Sequence, residues 1–175
     1  KQGAKVPDLD DPKDLINLFE FIQACRSEGI LLASHDRSDG GLFTTIAEMC
    51  FASHCGIDVQ LEGLTPDNSI VEVLFNEELG AVIQVSAVDI ERIELYAGKY
   101  NLKDCIFRIG ELNDTDKVNI RLAEGTLFSE DRISLHRIWS ETTFHMQSIR
   151  DNSECALEEY DLILDRSNPG LEHDL

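Results

Sequence analysis

The sequence predicts an α/β protein. Apolar residues recur at helical spacing in several stretches, short apolar or alternating runs lie between them, and turn residues separate the two kinds of segment. The chain has 175 residues, of which 42% are hydrophobic, enough for one globular domain with a short appendage. We expect a core spread over about four helices and five or six strands.

The first third of the chain is predicted to alternate helix and strand. Charged residues interrupt the apolar ones in the first helix, and glycines stand where the helices should end. The predicted elements are a helix over residues 15–25 that ends near Gly29, a buried strand over 30–34, a helix over 42–51 with Gly56 placed to end it, and a strand over 56–61.

The remainder continues the alternation up to about Arg150, after which turn residues become frequent. The predicted elements are a helix within 69–78, a strand over 81–85, a helix over 90–100, strands over 105–109 and 118–122, and a helix from Ser129 to about Arg150. We therefore divide the chain into a lead-in linker (1–12), one domain (13–150) and a second linker (151–175) that leads to a domain absent here.

Charge and cysteine content narrow the class of protein. The chain carries 34 acidic and 15 basic residues, a net charge of −19, which repels nucleic acids and anionic membranes. Five irregularly spaced cysteines do not resemble a secreted disulfide framework, so a cytoplasmic location is expected. The sequence starts at Lys1 without a signal peptide or an initiator Met, which indicates a fragment or a processed product.

The loop between the first strand and the second helix is the strongest candidate for chemistry. It reads His35-Asp36-Arg37-Ser38-Asp39-Gly40-Gly41, and the amides of Gly40 and Gly41 could receive a phosphate at the helix N-terminus. Asp36 could bind Mg²⁺, and the Ser38 hydroxyl could donate to a phosphate oxygen. The alternative is structural: Ser38 or Asp39 caps the helix, and the glycines only make the turn.

Other polar clusters have weaker functional interpretations. Cys50, His54 and Cys55 suggest zinc, but no second Cys/His pair completes a four-ligand site. Glu77 and Glu78 could be a metal pair, although an acidic turn is the ordinary explanation.

The remaining histidines and aromatic residues have structural interpretations. His35 and Asp36 could act as an acid–base pair, although neighbouring strand residues point to opposite faces. His136 and His145 are expected at the surface or at helix ends. Trp139 is expected to anchor a core or an interface.

Three ordered motifs resemble one family. The sequence resembles the large, single-chain phosphoribosylformylglycinamidine synthases from about Asp11 to Cys155. The segments that carry the resemblance are His35–Leu42 with Ala47–Met49, then Leu74–Val82, then Trp139–Thr143 with Met146–Gln147 and Arg150–Asn152. Asn152-Ser153 departs from the Asn-Pro that these proteins often have, which affects a turn and no chemistry.

The resemblance implies a fold, an activity and partners. The fold would be the C-terminal domain of the aminoimidazole ribonucleotide synthetase type, with a mixed sheet and packed helices, in the second synthetase-like half. The enzyme would be an ATP-dependent carbon–nitrogen ligase that amidates formylglycinamide ribonucleotide with glutamine in purine synthesis. Its partners would be the companion N-terminal domain and the glutaminase domain of the same polypeptide.

The resemblance also implies site residues. Asp36 would be a Mg²⁺ ligand and Ser38 a contact to ATP or ADP in an auxiliary site, with no catalytic residue in this chain. Two alternatives stay open. One is a non-catalytic regulatory or oligomerisation module, which would not bind metal-nucleotide even beside the preceding domain. The other is an independent hydrolase using His35 and Asp36, which would be active alone.

Overall fold

The computed structural model describes residues 8–64, 69–123 and 125–168, and in this part of the chain it contains six α-helices and six strands. None of the described helices is both long enough and apolar enough to span a membrane. The helices are α1 Pro12–Ser27, α2 Gly41–Ser53, α3 Ile70–Phe75, α4 Ile90–Lys99, α5 Arg132–Arg150 and α6 Ser153–Leu162. The strands are β1 Leu31–Asp36, β2 Gly56–Gln60, β3 Ala81–Val85, β4 Gly110–Asn113, β5 Lys117–Leu122 and β6 Gly125–Asp131.

The chain forms two compact units. The first comprises residues 1–46 and 63–108, and the second comprises residues 47–62 and 109–175, so that one boundary falls within α2. In the first unit, β1 pairs antiparallel with β3, and Asp36 lies opposite Ala81. Its core is built from α1, α4, the residue that precedes β1 and the segment that follows α4. The buried side chains are those of Phe21, Cys25, Ile30, Ile93, Ala97 and Leu102.

The second unit contains a mixed sheet of four strands in the order β4-β2-β5-β6. The pairing of β2 with β5 is parallel, whereas β4 and β6 are antiparallel to their neighbours. Val59, Val118 and Ile120 are almost completely buried on one face of the sheet. The predicted α/β class and the mixed sheet are thus confirmed.

Local sequence explains where the helices begin. Asp11 caps α1 by accepting a hydrogen bond from the amide of Lys13, and Pro12 occupies the first turn, where it costs no hydrogen bond. Ser69 and Glu72 form a reciprocal capping box at α3. In each case a short polar side chain satisfies an amide that the helix itself leaves free.

Several predicted elements are wrong in detail. Residues 105–109 do not form a strand: Lys103–Cys105 is a short 3-10 helix, and the strand is β4, which starts at Gly110. Strand β6 was not predicted, because most of its side chains are exposed and give no alternating apolar signal. Gly56 does not end α2. It begins β2, and the chain turns at His54, whose φ is 51°.

Strand β1 is also less buried than predicted. Its side chains alternate between half-buried and exposed, and Leu32 is largely exposed. Ile30, which lies just before the strand, is the residue that is completely buried. The apolar run therefore marks the entry to the strand rather than a strand covered on both faces.

The segment expected to be a linker contains a helix. Asn152 caps α6 by accepting hydrogen bonds from the amides of Glu154 and Cys155. The ring of Tyr160 stacks on Phe144 of α5, with centroids 4.4 Å apart, and its hydroxyl donates to the carbonyl oxygen of Arg137. Residues 153–162 are therefore packed structure. That the chain continues from here to a further domain stays a prediction.

Candidate functional site

The predicted phosphate loop lies between the end of β1 at Asp36 and the start of α2 at Gly41. Gly40, with a φ of 85°, is the residue directly before the helix. Neither Ser38 nor Asp39 therefore occupies the capping position that the structural interpretation of the loop gives to one of them. The amide of Gly41 donates to the carbonyl oxygen of Ser38 at 2.9 Å, which closes a tight turn. Strand, loop and helix therefore follow each other in the predicted order.

Arg37 ties this loop to the segment that leads into β3. One guanidinium nitrogen, Nη1, donates to the Oδ1 atom of Asn76 at 2.6 Å, and the backbone amide of Arg37 donates to the carbonyl oxygen of Gly80 at 2.9 Å. Burial lowers the pKa of Arg37, while the nearby charge of Glu78 partly offsets this. The half-buried Arg37 thus connects the loop to the segment before β3 through its side chain and its backbone.

Glu77 lies at the start of α2, where the sequence predicts a phosphate. Its Oε1 atom accepts a hydrogen bond from the amide of Gly40 at 3.1 Å, immediately before the first turn of α2. Negative groups are favoured at a helix N-terminus because the amides there point outward and the helix dipole is positive. Both predicted loop amides, Gly40 and Gly41, therefore already donate to protein oxygens, and a phosphate would have to displace Glu77 from the first.

The side chain of Thr45 contacts the backbone at both ends of the loop. This residue is completely buried, and its hydroxyl lies within hydrogen-bonding distance of the carbonyl oxygens of Gly41 (2.9 Å) and Asp36 (3.4 Å). It therefore connects the end of β1 to the first turn of α2. The position of the Asp36 backbone is defined by this contact and by the pairing of Asp36 with Ala81.

The side chain of Asp36 is open to solvent, with 88% of it exposed. His35 Nδ1 donates to the carbonyl oxygen of Asp36 at 2.7 Å and lies 3.5 Å from its Oδ1 atom, so the two side chains are closer than strand alternation predicts. No group of three or more His, Cys, Asp or Glu side chains suited to a metal occurs among the described residues. Asp36 therefore fits Mg²⁺ only as one carboxylate ligand among others supplied from outside these residues.

The zinc interpretation gains no support among the described residues. His54 Nδ1 donates to the carbonyl oxygen of Asn168 at 2.7 Å, and the Sγ atom of Cys55 lies 2.9 Å from the hydroxyl oxygen of Ser53. The neighbouring Cys55 thiol and burial raise the pKa of Cys50, whereas the Cys50 thiol lowers the pKa of Cys55 and burial partly offsets this.

His136 is not the surface or capping residue that was expected. Its ring stacks on Phe51 with centroids 4.6 Å apart. Burial lowers the pKa of His136, and the charges of Arg132 and His54 lower it further. Trp139 remains half-exposed, and its Nε1 atom donates to Glu48 Oε1 at 2.9 Å. These residues join α5 to the last turns of α2.

Sequence reasoning missed three residues of the site: Arg37, Thr45 and Asn76. Arg37 and Asn76 lie within the recognised motifs but received no role, because their pairing spans 39 positions in the sequence. Thr45 gave no signal, since a threonine on the inner face of a helix resembles any other core position. The sequence pattern marks Glu77 only as one of two neighbouring acidic residues, although its carboxylate accepts a hydrogen bond from the amide of Gly40.

A family model described as "AIR synthase related protein, C-terminal domain" matches residues 1–123. Solved structures of Thermotoga maritima PurL share the fold. The complex with ATP aligns with a TM-score of 0.61 at 20% identity, covering 71% of this chain and 22% of that chain. The complex with FGAR aligns with a TM-score of 0.63 at 21% identity, covering 73% of this chain and 21% of that chain.

A further structure, phosphoribosylformylglycinamidine synthase II from Thermotoga maritima, gives a TM-score of 0.60 at 20% identity and covers 71% of this chain and 22% of that chain. The chain thus spans less than a quarter of the length of these solved chains. The family match extends from the N-terminal residues through β5 and includes the loop from Asp36 to Gly41. On the strength of that match, this chain belongs to the family of C-terminal domains of AIR synthase-related proteins.

Proposed function

We infer that this chain is part of a phosphoribosylformylglycinamidine synthase, a cytoplasmic ligase that amidates formylglycinamide ribonucleotide in purine synthesis with ATP and with glutamine as the amide donor. Within it, this domain contributes to an auxiliary Mg²⁺–nucleotide site and does not catalyse the reaction alone. The family match and the shared fold with Thermotoga maritima PurL, which was solved with ATP, ADP, AMPPCP and FGAR, support the inference. The companion N-terminal domain and a glutaminase domain of the same polypeptide are its partners.

The observation that carries the nucleotide site is the carboxylate of Glu77 on the amide of Gly40. A carboxylate oxygen and a phosphate oxygen make the same charge-assisted hydrogen bond to a backbone amide. The position before α2 is therefore built to receive an anionic oxygen. Because the chain carries a net charge of −19, this local attraction has to act against the general field of the protein.

A bound Mg²⁺ would place positive charge beside the phosphates and so offset the repulsion from the negative charge of the chain. Asp36 presents an exposed carboxylate at the end of β1, and Ser38 lies two residues further along the same loop. Asp36 would hold the metal as one ligand, and the Ser38 hydroxyl would donate to a phosphate oxygen. The companion domain would supply the remaining ligands.

The proposal is tested in the full-length enzyme with Asp36→Asn and Ser38→Ala. Loss of Asp36 removes a full ligand charge, whereas loss of the Ser38 hydroxyl removes one hydrogen bond, worth about 0.5–1.5 kcal/mol and up to about 3 with a charged partner. We expect Asp36→Asn to lose more of the nucleotide that co-purifies, and to show the lower thermal midpoint. Asp39→Asn, an exposed neighbour in the same loop, is the matched control and should retain both.

The opposite ranking decides against the metal ligand. If Asp36→Asn keeps its nucleotide and midpoint while Ser38→Ala loses both, the loop acts through its hydroxyl and amides alone. Because the site is auxiliary, amidation should change less than nucleotide content in both variants. The isolated 175-residue chain should show no ammonia-dependent amidation.

Glu77 provides an independent test of the same site. In the full-length enzyme, Glu77→Gln removes the charge that competes with phosphate and should increase the nucleotide retained, while Glu91→Gln, at an exposed position on α4, should leave it unchanged. If Glu77→Gln lowers the retained nucleotide instead, Glu77 orders the loop rather than occupying the phosphate position.

One observation favours the alternative of a non-catalytic interaction module. Ile138, Met146 and Ile149 of α5 are each more than 60% exposed, and apolar side chains concentrated on one surface are typical of binding faces. Such a module would not need the loop at all. Metal-dependent nucleotide binding by this chain together with its companion domain separates the two functions.

A further inference from the structure

Arg37 lies between the two residues to which the nucleotide site is assigned, Asp36 and Ser38. Its guanidinium group is held by another segment of the chain, since Nη1 donates to Oδ1 of Asn76 at 2.6 Å. A Cβ atom on Gly80 would lie only 3.2, 3.3 and 3.4 Å from three atoms of the same group, so the guanidinium packs directly on the Gly80 backbone. The side chain of Arg37 is thus anchored at two positions before β3.

The backbone of Arg37 is attached to the same segment. Its amide donates to the carbonyl oxygen of Gly80 at 2.9 Å, which continues the pairing of β1 with β3 one residue beyond Asp36. Successive side chains of a paired strand point to opposite faces. Because Arg37 is held over Gly80, the carboxylate of Asp36 points to the other face, where 88% of it is exposed.

The acceptor that Asn76 offers to Arg37 has a fixed orientation. Asn76 is the residue at which α3 ends, and its Oδ1 atom also accepts a hydrogen bond from the amide of Glu78 at 3.4 Å. An oxygen that accepts from two donors holds its carboxamide group in one orientation. The position of the guanidinium group is therefore set by the end of α3 and not by the loop itself.

This placement of Arg37 is unfavourable for the stability of the fold. Its Nε atom is buried and has no hydrogen-bond partner among the residues that the structure describes. A buried donor without a partner loses its hydrogen bonds to water and gains none in return. Stability alone therefore does not explain an arginine at this position, and residues that stability does not explain concentrate at functional sites.

We propose that Arg37 is a positioning residue of the nucleotide site, an inference that rests on the proposed function. Anchored on Asn76 and Gly80, it touches neither the metal nor the phosphate. It fixes the direction in which the chain leaves β1, and with it the relative positions of the Asp36 carboxylate and the Ser38 hydroxyl. These two groups have to reach the metal and a phosphate oxygen of one nucleotide, and such an arrangement tolerates only small displacements.

The test measures the ADP that the full-length enzyme retains at increasing Mg²⁺ concentrations. The Mg²⁺-dependent part that Asp36→Asn loses defines the signal of this site. We expect Arg37→Met to raise the Mg²⁺ concentration for half-maximal retention about tenfold. Arg37→Lys, which keeps the charge but not the planar group, should raise it about threefold. Arg92→Met, which removes an exposed arginine of α4 that pairs with Asp89, is the control and should leave it unchanged.

A double-mutant cycle shows whether Arg37 acts through Asn76. Asn76→Ala removes the acceptor and should raise the required Mg²⁺ concentration by about the same factor as Arg37→Met does, and the double variant should raise it no further. The thermal midpoint of each variant without nucleotide separates this effect from a loss of stability. If Arg37→Met is poorly folded, Arg37→Lys replaces it in the cycle.

Two results would overturn the role of Arg37 and leave the proposed function intact. In the first, the Arg37 and Asn76 variants have a lower thermal midpoint but the Mg²⁺ dependence of the wild type, as a purely structural contact predicts. In the second, the effects of the two substitutions add. A third result decides against the proposed function itself: if Asp36→Asn retains as much Mg²⁺-dependent ADP as the wild type, the loop holds no metal and Arg37 has nothing to position.

Discussion

The backbone of Gly41 lies directly against the carbonyl oxygen of Asn76: a Cβ atom on Gly41 would be 2.5 Å from that oxygen and 2.8 Å from the carbonyl oxygen of Leu74. No real Cβ atom approaches backbone so closely, so α2 can begin beside the end of α3 only because residue 41 has no side chain. This approach brings the amide of Gly40 within reach of Glu77.

We expect Gly41→Ala to destabilise the chain far more than Gly29→Ala. Gly29 has almost the same φ, 67° against 68°, but a Cβ atom added to it would meet nothing within 4 Å. Gly29→Ala should therefore cost only the left-handed penalty of about 1–2 kcal/mol, and Gly41→Ala more than about 3 kcal/mol. Urea unfolding of both variants measures the difference. Equal costs would show that residues 74–76 move aside without penalty.

The second prediction concerns Arg132, whose side chain is buried and paired with Asp116 through two hydrogen bonds of 2.5 and 3.2 Å. Arg132→Met removes one partner of a buried pair and should cost about 3 kcal/mol in the free energy of unfolding. Arg166 also contacts Asp116, at 2.7 Å, but its side chain is largely exposed. Arg166→Met should therefore cost less than Arg132→Met; a larger loss for Arg166→Met than for Arg132→Met would contradict this ranking.

The third prediction concerns the attachment of α6. The ring of Tyr160 stacks on Phe144, and its centroid lies 3.3 Å from the guanidinium carbon of Arg137. The hydroxyl of Tyr160 donates a hydrogen bond to a carbonyl oxygen of α5. Tyr160→Ala should therefore release α6, at a cost of about 2 kcal/mol. Amide hydrogen exchange should become faster over residues 153–162 and stay unchanged in β1 and β3. Glu158→Ala, an exposed position on the same helix, is the control; unchanged exchange in Tyr160→Ala would show that other contacts hold α6.

The fourth prediction follows from the lowered pKa of His136, which burial and the charges of Arg132 and His54 produce. Below about pH 6.5, the usual histidine pKa, the unfolded chain binds a proton that the folded chain resists. The contribution of His136 to stability is therefore fully present above this pH and is lost as the pH falls toward the lowered value. His136→Phe keeps an aromatic ring beside Phe51 and should lose less stability between pH 7 and pH 5.5 than the wild type does.

The control for this measurement is His145→Gln, which removes an exposed histidine of the same helix. Its stability should fall with pH as the wild type's does. The interpretation fails if His136→Phe has the same pH dependence of stability as the wild type, since the folded and unfolded chains would then bind the proton of His136 equally well.

The sequence predicts elements well where burial leaves a periodic pattern. Helix α4 buries Ile93 and Ala97 on one side and exposes charges on the other, so its spacing identifies it correctly. Strand β6 exposes most of its side chains and was missed, and residues 105–109 are apolar enough to suggest a strand although the ladder begins only at Gly110. Pattern alone reports burial and not hydrogen-bond pairing.

In the candidate site, too, local features can be predicted from the sequence and long-range contacts cannot. The loop and its place between a strand and a helix follow from local sequence, since glycines and a helix start are local features. The contact of Glu77 with Gly40 joins positions 37 apart, and that of Arg37 with Asn76 joins positions 39 apart. Such pairs depend on the tertiary arrangement, and a single sequence gives no measure of them.

The parallel pairing of β2 with β5 has a consequence for how the chain acquires its structure during synthesis. β2 ends at Gln60, β5 begins at Lys117, and residues 63–108 between them belong to the other compact unit. On a ribosome, the first unit is complete by residue 108, whereas β2 must wait for strands that have not yet been made. We therefore expect vectorial folding in which the first unit forms early and β2 stays unpaired until late. During that interval its open strand edges are available to other chains, which makes β2 a point at which misassembly can begin.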